Sequence, residues 1–141
     1  MPGQAASVAF LCGPMGRTPL APCKQRLSED GRFHYLGGEL PIAAGLAERA
    51  ARLGEQALAA MPPTVGFVGV DLVLGRDPHG SEDAVIEINP RLTTSYVGLR
   101  ASGKTNLAEA MFHIARGDSN AVTFDNRRLE FDTEGNVSFL T

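Results

Sequence analysis

The chain has 141 residues, is 43% apolar and 21% charged, and carries a net charge of −3. That length suits one domain burying roughly 68–70% of its unfolded surface around a single core, and the composition excludes a disordered chain. No run nears the ~18 apolar residues of a membrane-spanning helix, and a slightly acidic chain offers no basic field to nucleic acid or anionic lipid.

Residues 1–10 carry no Lys or Arg ahead of their short apolar run, so they do not read as a secretory signal. Cys12 and Cys23 sit in no CxxC and have no His at zinc-ligand spacing. Both read as free thiols, and the expected compartment is the cytoplasm.

Residues 7–12 read as a strand, followed by a Pro/Gly loop over 13–19 that cannot continue it. Residues 25–27 and 33–36 flank Asp30-Gly31, a hairpin signal, with Gly37, Gly38 and Pro41 closing the hairpin. Ile42, Leu46, Ala50, Leu53, Ala57 and Met61 recur at helical spacing, which predicts a helix over 42–61 that Pro62-Pro63 ends. Within it Gly45 and Gly54 each cost about 1 kcal/mol against Ala, which packing has to offset. A second helix is predicted over about 106–116, with Gly117 as its C-cap. The tail offers strands at 122–124, 129–131 and 137–139, the last two around Glu134-Gly135-Asn136. Hairpins joined by helices predict an α+β fold with a mainly antiparallel sheet and two principal helices. One domain spans 1–141, with 118–141 as a terminal strand and hairpin extension.

The chemistry concentrates between residues 65 and 90. Val68, Val70, Leu72 and Leu74 alternate with Gly69, Asp71 and Val73, and Ile86 and Ile88 alternate with Val85, Glu87 and Asn89. The polar, turn-rich run 75–83 joins these two strands. A hairpin centred near His79 sets Asp71 opposite Glu87 and Gly69 opposite Asn89. With the even-numbered apolar residues on one face, Asp71, Glu87 and Asn89 share the other. Opposed carboxylates at ~5 Å repel by about 3 kcal/mol at an effective dielectric of ~20. A hydrated divalent cation removes that repulsion, and Mg²⁺ prefers one or two carboxylates, waters and substrate phosphates to a full protein cage. The competing reading is a solvated acidic sheet face. Arg91 and three hydroxyls follow, and a guanidinium forks phosphate or carboxylate. Its alternative role is a salt bridge to the acidic cluster.

Gly66-Phe67-Val68-Gly69-Val70-Asp71-Leu72, then Val85-Ile86-Glu87-Ile88-Asn89-Pro90-Arg91, resembles the metal-binding half of the ATP-grasp superfamily. The run from Glu87 to Tyr96 is similar to the carboxylate–amine ligase branch that includes tyramine–glutamate ligases. With Ser7-Val8-Ala9-Phe10-Leu11, which resembles the strand after that family's adenine hinge, the likeness covers about residues 3–116. It implies ATP as cofactor with Mg²⁺, or Mn²⁺ in its place. Asp71 would bind one ion, Glu87 would bridge two, and Asn89 would bind the other. Arg91 would match the arginine that contacts phosphate or acyl phosphate, the one catalytic assignment. The implied reaction forms an acyl phosphate from ATP and a small carboxylate, which an amine then attacks. The resemblance also implies a phosphate-binding lysine and an adenine hinge ahead of the matched region. Lys24 and Lys104, the only lysines, match neither, so the expectation is a chain incomplete on its own, joined to a missing N-terminal portion or self-associated through uncovered apolar surface.

Two other readings compete. One is a non-catalytic fragment or binding module that keeps the sheet. The other is a P-loop NTPase, since Gly98-Leu99-Arg100-Ala101-Ser102-Gly103-Lys104-Thr105 fits the motif to the letter. No buried strand precedes Gly98, and only 36 residues follow Thr105, too few for a P-loop domain. The match is read as chance.

Overall fold

A computed structural model describes residues 2–141. Its frame is an eight-stranded sheet in which every pairing is antiparallel. In chain order the elements are β1 (Gln4–Gly13), β2 (Gly16–Pro19), β3 (Cys23–Leu27), β4 (Tyr35–Leu40), α1 (Ala44–Ala59), β5 (Gly66–Leu74) and β6 (Ala84–Asn89). They continue with α2 (Ser95–Ser102), α3 (Leu107–Ala115), β7 (Leu129–Asp132) and β8 (Val137–Phe139). The spatial order is β6-β5-β1-β3-β4-β7-β8, with β2 pairing the outer half of β1. The α+β class and the antiparallel sheet are as expected; among the described residues the helices number three rather than two.

Period-two alternation divides the core between the two faces of the sheet. Val8, Phe10 and Cys12 of β1 and Val68, Val70, Leu72 and Leu74 of β5 form one cluster with Ala50 and Leu58 of α1. Ala9, Leu11, Phe67, Leu40 and Phe131 form the other with Leu99 of α2 and Leu107, Ala110 and Ile114 of α3. Each large apolar side chain withdrawn this way stabilises the fold by roughly 1.5–3 kcal/mol. Gly54 lets α1 settle on β1: a Cβ there would lie 2.7 Å from both Val8 and Phe10. That close approach offsets its weak helix propensity.

Four local expectations change. The Pro/Gly stretch after β1 is a tight hairpin, not a loop, because Pro14 and Met15 alone make the turn and Gly16 pairs with Gly13. Gly37 and Gly38 lie inside β4 rather than closing its hairpin; Phe131 of β7 presses on both positions, leaving no room for side chains. The segment after Pro90 enters helix α2 at Ser95, held by the burial of Ser95, Gly98, Leu99 and Ser102. Residues 122–124 contribute a single bridge, Gly103 to Phe124, instead of a strand.

Both cysteines are free and buried, and burial pushes the Cys23 thiol up to about 12. Neither offers a nucleophile. Among the described residues, no helix is long and apolar enough to cross a membrane.

Candidate functional site

The β5–β6 hairpin pairs Asp71 with Glu87, Val70 with Ile88 and Gly69 with Asn89, the expected register. Because Val68, Val70 and Leu72 face α1, Asp71, Glu87 and Asn89 project from the opposite face. Beyond Asp71 the pairing slips by one, so that Leu72 meets Val85. Ile86 is then the extra residue of a bulge, 63% exposed, while Val85 packs with the α1-side cluster. The expectation that Ile86 shares the apolar face fails for that reason.

Helices α2 and α3 cover only part of the site-bearing face, leaving a cleft of about 250 Å³ where β1, β3, β4, β5 and β6 meet the start of α2. Asp71, Glu87, Asn89 and Arg91 all line it. Asn89 is buried, and its Nδ2 donates to Glu87 Oε2 at 3.2 Å. Arg91 Nη2 donates to Asn89 Oδ1 at 3.4 Å, a long contact that leaves the guanidinium near the acidic pair. Asp71 accepts from Gln25 Nε2 at 2.9 Å. Burial, followed by the Glu87 carboxylate, raises the pKa of Asp71 above the usual range, against the lowering pull of Gln25 and Arg91. A cation placed between the two carboxylates would remove the repulsive part.

Thr93 packs directly on β5 because Gly69 has no side chain. A Cβ there would stand 2.7 Å from Thr93 Cγ2. Thr93 and Ser95 hydroxyls share a hydrogen bond of 2.8 Å. Thr94 and Ser95, at the start of α2, line the cleft, so the end of the helix that carries the positive side of its dipole borders it.

Sequence reasoning missed Ser7, Gln25 and Tyr35, which also line the cleft. Ser7 is paired with Asp71 on one side and Cys23 on the other. Alternation within each strand hints at which face these residues take, but only the insertion of β1 between β5 and β3 brings them to Asp71.

The donor set suits a hard divalent cation: two carboxylates, an amide oxygen and nearby hydroxyls are oxygen ligands of the kind Mg²⁺ takes. Among the described residues no three His, Cys, Asp or Glu side chains gather into a protein cage. A cation here would draw its remaining oxygens from water and ligand. The P-loop-like run makes no phosphate cradle. Gly98 and Ser102 lie within α2, and the Lys104 amide donates to Thr123 O at 2.9 Å.

A family model described as an ATP-grasp domain matches residues 1–95. The chain is 30% identical over 133 residues to tyramine–L-glutamate ligase of Methanocaldococcus fervens, covering 94% of this chain and 39% of that enzyme. A crystal structure of an Archaeoglobus fulgidus protein assigned to the ATP-grasp superfamily superposes with a TM-score of 0.73 at 25% identity, over 94% of this chain and 39% of that one. N5-carboxyaminoimidazole ribonucleotide synthetase, solved with ADP, shares the fold at 15% identity and a TM-score of 0.72, over 94% of this chain and 34% of that one. The chain thus spans well under half the length of each.

Proposed function

Because the chain belongs to the ATP-grasp family, as its matched domain over residues 1–95 shows, we propose that it binds ATP with Mg²⁺ as the C-terminal part of a carboxylate–amine ligase acting through an acyl phosphate. The observation that carries the reading is the opposed pair Asp71 and Glu87, with Asn89 beside them, on one face of an open cleft. Two carboxylates alone would repel a polyphosphate, so the same cleft favours a nucleotide only with a divalent cation between them. The bound cation would supply charge neutralisation and alignment of the phosphates.

The chain's own residues divide the remaining work. Asp71 and Glu87 hold the cation from two strands, and Asn89 adds a neutral oxygen. Arg91 stands at the exposed rim, where its fork meets a phosphate or carboxylate oxygen bidentately. The start of α2 adds a partial positive charge on the same side.

Neither lysine supports the phosphate-binding role within these residues: Lys24 pairs with Glu39 at 3.3 Å, and Lys104 lines a separate cavity beside α3. This supports a chain that works with a further portion supplying that lysine and the adenine hinge. The small carboxylate and amine substrates are proposed by family likeness, since the curated relative is named for tyramine and L-glutamate. Two free, buried thiols support a cytoplasmic setting.

Isothermal titration with Mg²⁺-ATP tests the site. The unaltered chain should bind with measurable heat, which Asp71→Asn and Glu87→Gln each reduce severely. Equal heats for all three proteins would refute the assignment.

A further inference from the structure

Gln25 lies on β3, two strands away from Asp71, yet its Nε2 reaches Asp71 Oδ1 at 2.9 Å. The strand between them, β1, presents only Ala5 and Ser7 on this face near the pair, and both are too small to block the approach. An ionised carboxylate only accepts, so the amide nitrogen of Gln25 must be the atom that faces it. Among the described residues no donor reaches the second oxygen, Oδ2.

We propose that Gln25 is a positioning residue: by occupying Oδ1 it presents Oδ2 of Asp71 as a one-oxygen ligand to the cation. The inference rests on the reading of Asp71 as a metal ligand and deepens it. The chemistry selects glutamine. Lysine or arginine at this place would neutralise Asp71 and repel a cation, whereas a carboxylate would add a third negative charge. A neutral donor fixes orientation and leaves the charge of Asp71 available. Mg²⁺ demands near-ideal octahedral geometry and keeps several waters. A carboxylate held to one oxygen leaves coordination positions open for water and phosphate, while a freely rotating one would chelate with both. Partners behind a metal ligand typically change metal affinity by 10–100-fold when removed.

The test uses Mn²⁺ with ATP, followed by electron paramagnetic resonance, on the full chain. Gln25→Met keeps length and bulk but removes the donor, and Gln25→Leu is the second variant should methionine disturb folding. The expected result is Mn²⁺-ATP binding weakened about 10–100-fold with an unchanged circular dichroism spectrum. The broadening caused by ¹⁷O-labelled water should also report one fewer water on the ion, because Asp71 now binds with both oxygens. Asp71→Asn is measured alongside. If Asp71→Asn weakens binding while the Gln25 variants match the unaltered chain in affinity and water count, the positioning role is overturned and the Asp71 ligand survives. If Asp71→Asn binds like the unaltered chain, or the unaltered chain binds no Mn²⁺-ATP, the ligand reading falls and this inference with it.

Discussion

Replacing Arg49 by methionine should cost about 1.5–3 kcal/mol of stability, because it strands a half-buried carboxylate. The Asp83 side chain is 5% exposed and that of Arg49 10%. Arg49 Nε donates to Asp83 Oδ2 at 3.0 Å, and a second bond joins its Nη2 to Oδ1. The same guanidinium donates to Gly75 O at 2.8 Å, while Asp83 accepts from the Gly75 amide at 2.8 Å. Helix α1 is thereby riveted to both ends of the β5–β6 loop. Without Arg49, Asp83 keeps the Gly75 amide donor and only the more distant charge of Arg52. A domain of this kind is stable by about 5–15 kcal/mol in total, so the loss is large. With a urea slope of ~2 kcal/mol/M the midpoint should fall by roughly 0.75–1.5 M. The double variant Arg49→Met, Asp83→Leu should lose less than the sum of the single changes, since neither side then leaves a charge unpaired. Arg49 holds the Asp83 carboxyl below the usual carboxylate range. Its stabilisation is therefore present above the unfolded pKa of ~3.9 and is lost as pH falls through the lower folded value. The gap between the unaltered chain and Arg49→Met should accordingly narrow in acid. If the Arg49→Met variant unfolds within ~0.5 M of the unaltered chain at pH 7, or the gap widens in acid, the ion pair does not hold the loop in this way.

Gly69→Ala should push Thr93 off the sheet and weaken Mg²⁺-ATP binding in titration by more than it lowers the thermal midpoint; the reverse ranking would remove Gly69 from the site's architecture. Asp71 has a raised pKa in the fold, so its contribution is stabilising below its unfolded pKa and is lost as pH rises through the folded one. Asp71→Asn should therefore raise the melting temperature of the nucleotide-free chain at pH 7 while removing its response to Mg²⁺. Phe131→Ala opens a cavity beneath α2 and should cost about 3–5 kcal/mol in denaturant titration, since that ring is 1% exposed against Leu40 and Gly98. Large apolar side chains such as Phe33, Val65 and Phe112 are exposed. Light scattering should show self-association, and a monodisperse monomer would contradict it.

The acidic pair was legible because alternation and a polar connecting run fix parity, and parity survives an error of a residue or two in the turn. The bulge was not legible: Ile86 is as apolar as Ile88, and nothing local says that one is squeezed outward. Helix α2 hid behind Ser95, Tyr96, Val97 and Gly98, residues of modest or poor helix propensity. It forms because Leu99 and the small buried residues around it pack on β4 and β7. Gln25 and Ser7 escaped for a different reason. Their meeting with Asp71 depends on strand order, and β1 finds β5 across some sixty residues of intervening chain, a pairing no local pattern encodes. The likeness from Glu87 to Tyr96 reached the family because it is a run of consecutive residues.

Asp71 stands on β5, which has neighbours on both sides, whereas Glu87 and Asn89 stand on β6, the outermost strand of the sheet. A guest held between them would meet one anchored jaw and one that yields: an edge strand opens at lower cost than an inner strand whose displacement prises apart the hydrophobic centre. Such asymmetry would let the jaws admit and release without the body of the molecule coming undone, and amide exchange along Val85 and Ile88 should outpace that at Val70.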